Sequence, residues 1–127
     1  MNDDIRKALS EGHVIDITTK GRKTGQPRRK EIVFHNIGGR LYISGVPRPE
    51  KRDWLANLEA DPRFIFHLKG DVVADLPATA RVITDPEERR QVLGPIGEKW
   101  GWDDLEDGLR HSPLVEVTIE PDGDSRR

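Results

Sequence analysis

Two strand candidates meet at a glycine pair: EIVFHNI over residues 31–37, then Gly38-Gly39, then RLYISGV over 40–46. Glycine enters positive φ without a steric penalty, so a Gly-Gly pair between two such runs reads as a tight hairpin turn. A hairpin makes its two strands antiparallel neighbours, which narrows the folds open to the whole chain. The other strand candidates are also short. HVIDITT (13–19) alternates, with His13, Ile15 and Ile17 on one side and Val14, Asp16 and Thr18 on the other. RFIFHLKG (63–70) puts Phe64, Phe66 and Leu68 on one face. DVVADLPATARVI (71–83) is extended but interrupted at Pro77, where an edge or a bulge is expected. PLVEVTIEP (113–121) is a final alternating run.

Helical signals are short. DDIRKALS (3–10) opens on acids, which favours the helix dipole, and Gly12 follows its end. Within 47–62, Trp54, Leu55 and Leu58 have helix spacing, and Asp61-Pro62 stops the helix. DPEERRQVL (85–93) has Asp85 as N-cap, Pro86 in the first turn and Glu88 completing a capping box. Residues 94–102 hold too much glycine for a regular helix, and 103–111 offer a further turn or two. Strands do not alternate with long helices, so a doubly wound parallel sheet is disfavoured. The expectation is a mainly β, α+β fold. Roughly six antiparallel strands form a small barrel, with two or three short helices, one inserted after the third strand.

The 127 residues fit one domain, 1–127, with 121–127 reading as a frayed tail. Hydrophobic residues are 34% and charged residues 35%, so the core is thin or a partner or ligand completes it. With no cysteine, disulfides, thiolate catalysis and Cys-type zinc sites are excluded. The acidic N-terminus does not read as a signal peptide, and no apolar run reaches the roughly 20 residues of a membrane span. A cytoplasmic location is expected, with peripheral membrane association as a second option. His13, His35, His67 and His111 lack metal-ligand spacing, so no metal is expected. No nucleophile signature or acid/base pair is legible, so any chemistry belongs to a bound cofactor.

Residues 18–30, TTKGRKTGQPRRK, hold six cations and no acid. The net charge is −2, so the rest of the chain stands at −8 once these six are set aside. Gly21 and Gly25 allow sharp turns and accessible N–H groups, and the cations between them make an anion-binding concavity. Residue chemistry alone leaves two readings open: a phosphate or carboxylate site, or a solvated hairpin loop. Arg48, Lys51 and Arg52 form a second basic group at a helix start. Asn57, one turn from Trp54, reads by itself as a solvent-facing polar residue. Trp100 and Trp102 can close over a flat ligand, but indoles more often cover the end of a barrel.

In order, ITTKGRKTGQPRRKEIVF, GRLYISG and RDWLANLEADPR resemble the deazaflavin-dependent nitroreductase and quinone reductase family, relatives of the flavin-binding split β-barrel proteins. Gly21, Arg22, Lys23, Thr24, Gly25 and Arg28 match its first block, and Gly45, Trp54, Asn57, Leu58, Asp61 and Pro62 its second. The likeness covers roughly residues 14–93. It implies a split β-barrel, a deazaflavin coenzyme (coenzyme F-420), and hydride transfer to a quinone, nitroaromatic or other conjugated, hydrophobic acceptor. It further implies that Arg22, Lys23 and Arg28 hold the phosphate and anionic tail, with Thr24, Gly25 and Gln26 helping. Ser44, Gly45, Val46, Pro47 and Arg48 lie along the ring, Lys51 or Arg52 near the phosphate, and Trp54 and Asn57 complete the site. Departures occur at Arg48–Asp53 and at Trp54-Leu55, where the family often has Trp-Tyr. Related split barrels use FMN or FAD, so those are the alternative cofactors, and a non-catalytic carrier of a flavin, lipid or other anion is the alternative function. Nucleic-acid binding through the basic loop is opposed by the acidic remainder. A homodimer through strand faces is compatible with the thin core.

Overall fold

The computed structural model describes residues 3–120. The expected tail at 121–127 lies outside them. The elements are α1 (Asp3–Glu11), β1 (Val14–Lys20), β2 (Pro27–Ile37), β3 (Arg40–Ser44), α2 (Asp53–Ala60), β4 (Arg63–Leu68), β5 (Ala74–Val82), α3 (Pro86–Trp100), α4 (Leu105–His111) and β6 (Leu114–Ile119). The six strands close into an antiparallel barrel in the order β1-β2-β3-β6-β5-β4, the split β-barrel architecture. Gly38 and Gly39 both have positive φ, 61° and 88°, and they turn β2 into β3 as the sequence predicts.

Period-2 alternation decides which side chains fill the barrel. Ile15 and Ile17 of β1, Phe34 of β2, Ile43 of β3, Phe64, Phe66 and Leu68 of β4, and Val115 and Val117 of β6 form one buried cluster. Trp54 and Leu58 of α2 join that cluster. A second cluster lies under α3, where Val92, Leu93 and Ile96 pack on Tyr42, Ile83 and Leu114.

One expectation is narrowed and one corrected. Pro77 marks no bulge, since β5 pairs with β4 in unbroken register with Ile65 opposite Pro77, but the β6 ladder starts only at Ala78, so Pro77 stands where β5 becomes an edge on that side. A residue's N–H and C=O point to the same side of a strand. The Pro77 carbonyl accepts from the Glu120 N–H at 2.8 Å, so the missing donor falls at the last rung beside β6. The glycine-rich stretch is helix: α3 runs on through Gly94, Pro95 and Gly97 to Trp100, and α4 follows, giving four helices among the described residues. The buried residues of α3 outweigh its poor intrinsic propensity.

The glycines there have a packing role. A Cβ on Gly97 would lie 2.5 Å from Trp102 Cε3, and one on Gly108 would lie 2.2 Å from it. Trp102 therefore wedges between α3 and α4, and Trp100 meets it edge-on with ring centroids 6.3 Å apart. Gly108→Ala should cost about 1–3 kcal/mol through overpacking, against a gain in helix propensity of only about 1 kcal/mol. Urea titration followed by circular dichroism measures it.

His35 of β2 is buried beneath α3, with its Nε2 3.0 Å from Ser44 Oγ and its ring 5.0 Å from that of Trp100. Burial first, and the charge of Lys99 second, push its pKa down from 6.5 to about 4. Between those values the unfolded chain binds a proton that the folded one refuses. Stability is therefore full above about pH 6.5 and falls as pH drops toward 4. His35→Gln should flatten that slope in denaturation curves taken across the window.

Candidate functional site

Residues 21–26 close the β1–β2 hairpin, while Arg28, Arg29 and Lys30 belong to β2 itself. The basic segment is thus half turn and half strand. The turn is internally built. The Gly21 N–H donates to Gln26 O at 2.8 Å, the Gly25 N–H to Gly21 O at 2.8 Å, and the Gln26 N–H to Thr24 Oγ1 at 3.2 Å. Gly25 has φ of 74°, which glycine adopts freely.

Across from this hairpin stands the start of α2. A cleft of about 450 Å³ opens between them, lined by Gly21, Arg22, Lys23, Thr24, Arg28, Arg29, Lys30, Arg48, Arg52, Asp53, Trp54 and Asn57. The structure thus brings together Arg22, Lys23, Thr24, Arg28, Arg48, Arg52, Trp54 and Asn57 of the expected set. Arg29, Lys30 and Asp53 also line it. The unbroken run Arg28–Lys30 carried the signal for two of these.

Asn57 is buried, not solvent-facing. Its Nδ2 donates to Thr19 Oγ1 at 3.0 Å, and its Oδ1 accepts from the Arg22 N–H at 3.1 Å and from Arg22 Nη1 at 3.0 Å. Arg22 also reaches Asp53 Oδ1 through Nη2 at 3.3 Å. Arg22 is therefore a strut that fixes the hairpin against α2, with much of its donor capacity already used. The cations left over are different ones. Among the described residues, no side-chain hydrogen bond or ion pair engages Lys23, Arg28, Lys30 or Arg48. The α2 N-cap position, Arg52, places no side-chain cap on the helix. Unmatched cations beside an uncapped helix start suit an anionic ligand.

The segment after β3 is pinned from two sides. Arg52 Nη2 donates to Val46 O at 2.5 Å, and Ser112 Oγ donates to Gly45 O at 2.8 Å. A Cβ on Gly45 would lie 3.2 Å from Pro113 Cγ and 3.3 Å from Arg52 Cζ, so a larger residue would make those side chains give by a few tenths of an ångström. Burial, with Arg48 nearby, lowers the pKa of Arg52. Val46 itself stands 68% exposed.

Several expected residues lie elsewhere. Ser44 is buried beneath α3 against His35 and does not line the cleft. Gly45, Val46 and Pro47 stand beside it rather than in its lining. Gly25 and Gln26 shape the turn. Lys51 is absent from the cleft lining and pairs with Glu59 at 2.7 Å. Trp100 and Trp102 pack α3 and α4 together. Among the described residues, no group of three or more His, Asp or Glu side chains could hold a metal, and no helix is long and apolar enough to cross a membrane.

Comparison with known proteins bears on what the cleft holds. A conserved hypothetical protein of Mycobacterium tuberculosis, Rv2991, is similar with a TM-score of 0.72 at 19% identity, over 95% of this chain and 82% of that one. The heme storage protein HutZ of Vibrio cholerae is similar with a TM-score of 0.66 at 19% identity, over 93% of this chain and 89% of that one. An F420-H2 dependent reductase, FDR-A, is similar with a TM-score of 0.59 at 23% identity, over 83% of this chain and 93% of that one. At such identities these likenesses establish the barrel and nothing finer. The family match is decisive: the model of the F420H(2)-dependent quinone reductase family covers residues 2–103, from α1 through the cleft to the end of α3. The chain belongs to the F420H(2)-dependent quinone reductase family and is an oxidoreductase whose cofactor is the deazaflavin coenzyme F-420.

Proposed function

We propose that this enzyme holds reduced coenzyme F-420 in the cleft between the β1–β2 hairpin and α2 and reduces a quinone, with nitroaromatics or other conjugated acceptors as further substrates. The observation that carries the reading is the set of unmatched cations, Lys23, Arg28, Lys30 and Arg48, around a cleft of about 450 Å³. The coenzyme carries a phosphate and carboxylates, and this donor set fits them. When bound, it supplies the hydride.

The protein's part is binding and orientation. Lys23, Arg28 and Arg48 face the anionic groups, and Lys30 extends the same charge along β2. Arg22 and Asn57 hold the hairpin at a fixed distance from α2, so the cations are placed before the ligand arrives. Trp54, buried at the cleft, gives an apolar floor. Val46–Arg48, held by Arg52 and Ser112, would flank the bound coenzyme, and the exposed Val46 side chain would meet a hydrophobic acceptor. A homodimer formed through strand faces belongs to the same proposal, and sedimentation velocity tests it.

Turnover is the test. Purified enzyme given reduced coenzyme and menadione should oxidise the coenzyme in a protein-dependent way, and a nitroaromatic should also serve. Absence of turnover with every quinone and nitroaromatic offered, despite tight coenzyme binding, would overturn the acceptor assignment. Tight FMN or FAD binding with no affinity for the deazaflavin would overturn the ligand assignment of the cleft.

A further inference from the structure

Three side chains from three strands, none of them in the lining of the cofactor cleft, form a continuous chain. Thr18 Oγ1 of β1 lies 2.7 Å from His67 Nε2 of β4, and His67 Nδ1 lies 2.7 Å from Asp75 Oδ1 of β5. Barrel closure brings them together: Thr18 pairs with Ile65, two residues from His67, and His67 pairs with Asp75. Their roles follow from chemistry. An ionised carboxylate only accepts, so Asp75 fixes the proton of His67 on Nδ1. In that tautomer Nε2 carries a lone pair, to which the Thr18 hydroxyl donates. That is the nucleophile, base and orienter order of acyl-transfer sites.

The surroundings suit the same chemistry. Thr18 lines a groove of about 490 Å³ beside Ile65, Pro77 and Ala78, with Lys20 among the charged residues that also line it. None of the groove's lining residues lines the cofactor cleft. The His67 ring is buried while Thr18 is only half-buried. Lys20 follows Thr18 by two residues, hence on the same face of β1. Its ammonium makes no ion pair or hydrogen bond among the described residues, although Asp61 feels its charge.

We propose that Thr18 is an activated nucleophile toward carboxylic esters with small apolar acyl groups. The Thr18 oxygen bonds to the ester carbonyl carbon as its proton passes to His67 Nε2. Lys20 stabilises the oxyanion. The carbon–alkoxide bond then breaks, the alcohol leaves with the His67 proton, and an acyl-threonine remains. Water, deprotonated by His67, hydrolyses it to the acid and regenerates the hydroxyl.

The experiment uses the full chain with p-nitrophenyl acetate and p-nitrophenyl butyrate. Expected are a burst of p-nitrophenol near one per protein, one acetyl group on the peptide containing Thr18, and slow turnover. Thr18→Val, which keeps the β-branched shape, should abolish the burst, while Thr18→Ser should retain it. His67→Gln should slow acylation by roughly 10²-fold or more. Coenzyme affinity, measured by fluorescence, should be unchanged in Thr18→Val, which shows that the barrel and the cleft are intact. A Thr18→Val protein that releases p-nitrophenol like the wild type overturns the proposal, and so does acetylation found only on lysines.

Discussion

Exchanging both Lys23 and Arg28 for glutamate should weaken binding of the oxidised coenzyme by roughly 10²–10⁴-fold. Each faces the cleft without an acid partner among the described residues. A hydrogen bond to a charged group is worth about 1.5–3 kcal/mol, so losing two removes about 3–6 kcal/mol. Reversing the sign adds repulsion. Because neither residue holds the fold together, the melting temperature should stay close to that of the wild type. Arg22 behaves differently. Its guanidinium bonds Asn57 Oδ1 and Asp53 Oδ1, so Arg22→Ala should lower stability and coenzyme affinity together. Fluorescence titration beside thermal unfolding separates the two classes. Equal affinity in the Lys23/Arg28 double variant would remove these cations from the site.

Asn57 should give the second large effect. Asn57→Leu strands the buried Thr19 hydroxyl and the Arg22 N–H, and cuts the tie between β1, the hairpin and α2. Leaving a buried polar group unpaired costs about 1–3 kcal/mol, so a loss of about 3 kcal/mol is expected for the variant. Asn57→Asp discriminates between architecture and electrostatics. The shape survives, Thr19 can turn its hydroxyl to donate, and a carboxylate now meets Arg22. Stability should fall less than in Asn57→Leu, yet coenzyme affinity should still drop, because a negative charge has entered the cleft. Urea denaturation and coenzyme titration of both variants provide the comparison. Wild-type stability in Asn57→Leu would contradict the strut.

The strands were legible because side-chain period is short range. Ile15 and Ile17, or Phe64, Phe66 and Leu68, announce a buried face without reference to anything distant. The Gly38-Gly39 turn is equally local. What sequence reasoning missed depends on tertiary contacts. Residues 94–102 read as too glycine-rich for a regular helix because glycine's cost is local, whereas the slot it makes for Trp102 exists only once α4 has docked. Pro77 does lack a donor, but the consequence depends on where β6 ends, and β6 lies some forty residues further along the chain. The cleft divides the same way. Its cations are visible as a run without acids. The burial of Asn57 is not, since its partners Thr19 and Arg22 stand 38 and 35 residues away. Nor does the sequence tell which cation is a strut and which is free: Arg22 and Lys23 are neighbours, and only the position of α2 separates their roles. Lys51 illustrates the converse, a cation in the right stretch that stands outside the cleft lining, beside Glu59.

The central claim is that the cleft grips the coenzyme by its phosphate and anionic tail. The most direct measurement compares two dissociation constants for the wild-type protein at low salt. One is for the intact oxidised coenzyme, the other for the deazaflavin riboside that lacks phosphate and tail. The intact molecule should bind at least 10²-fold more tightly, and that advantage should shrink as salt screens the cations. Equal dissociation constants, unaffected by salt, would contradict the account.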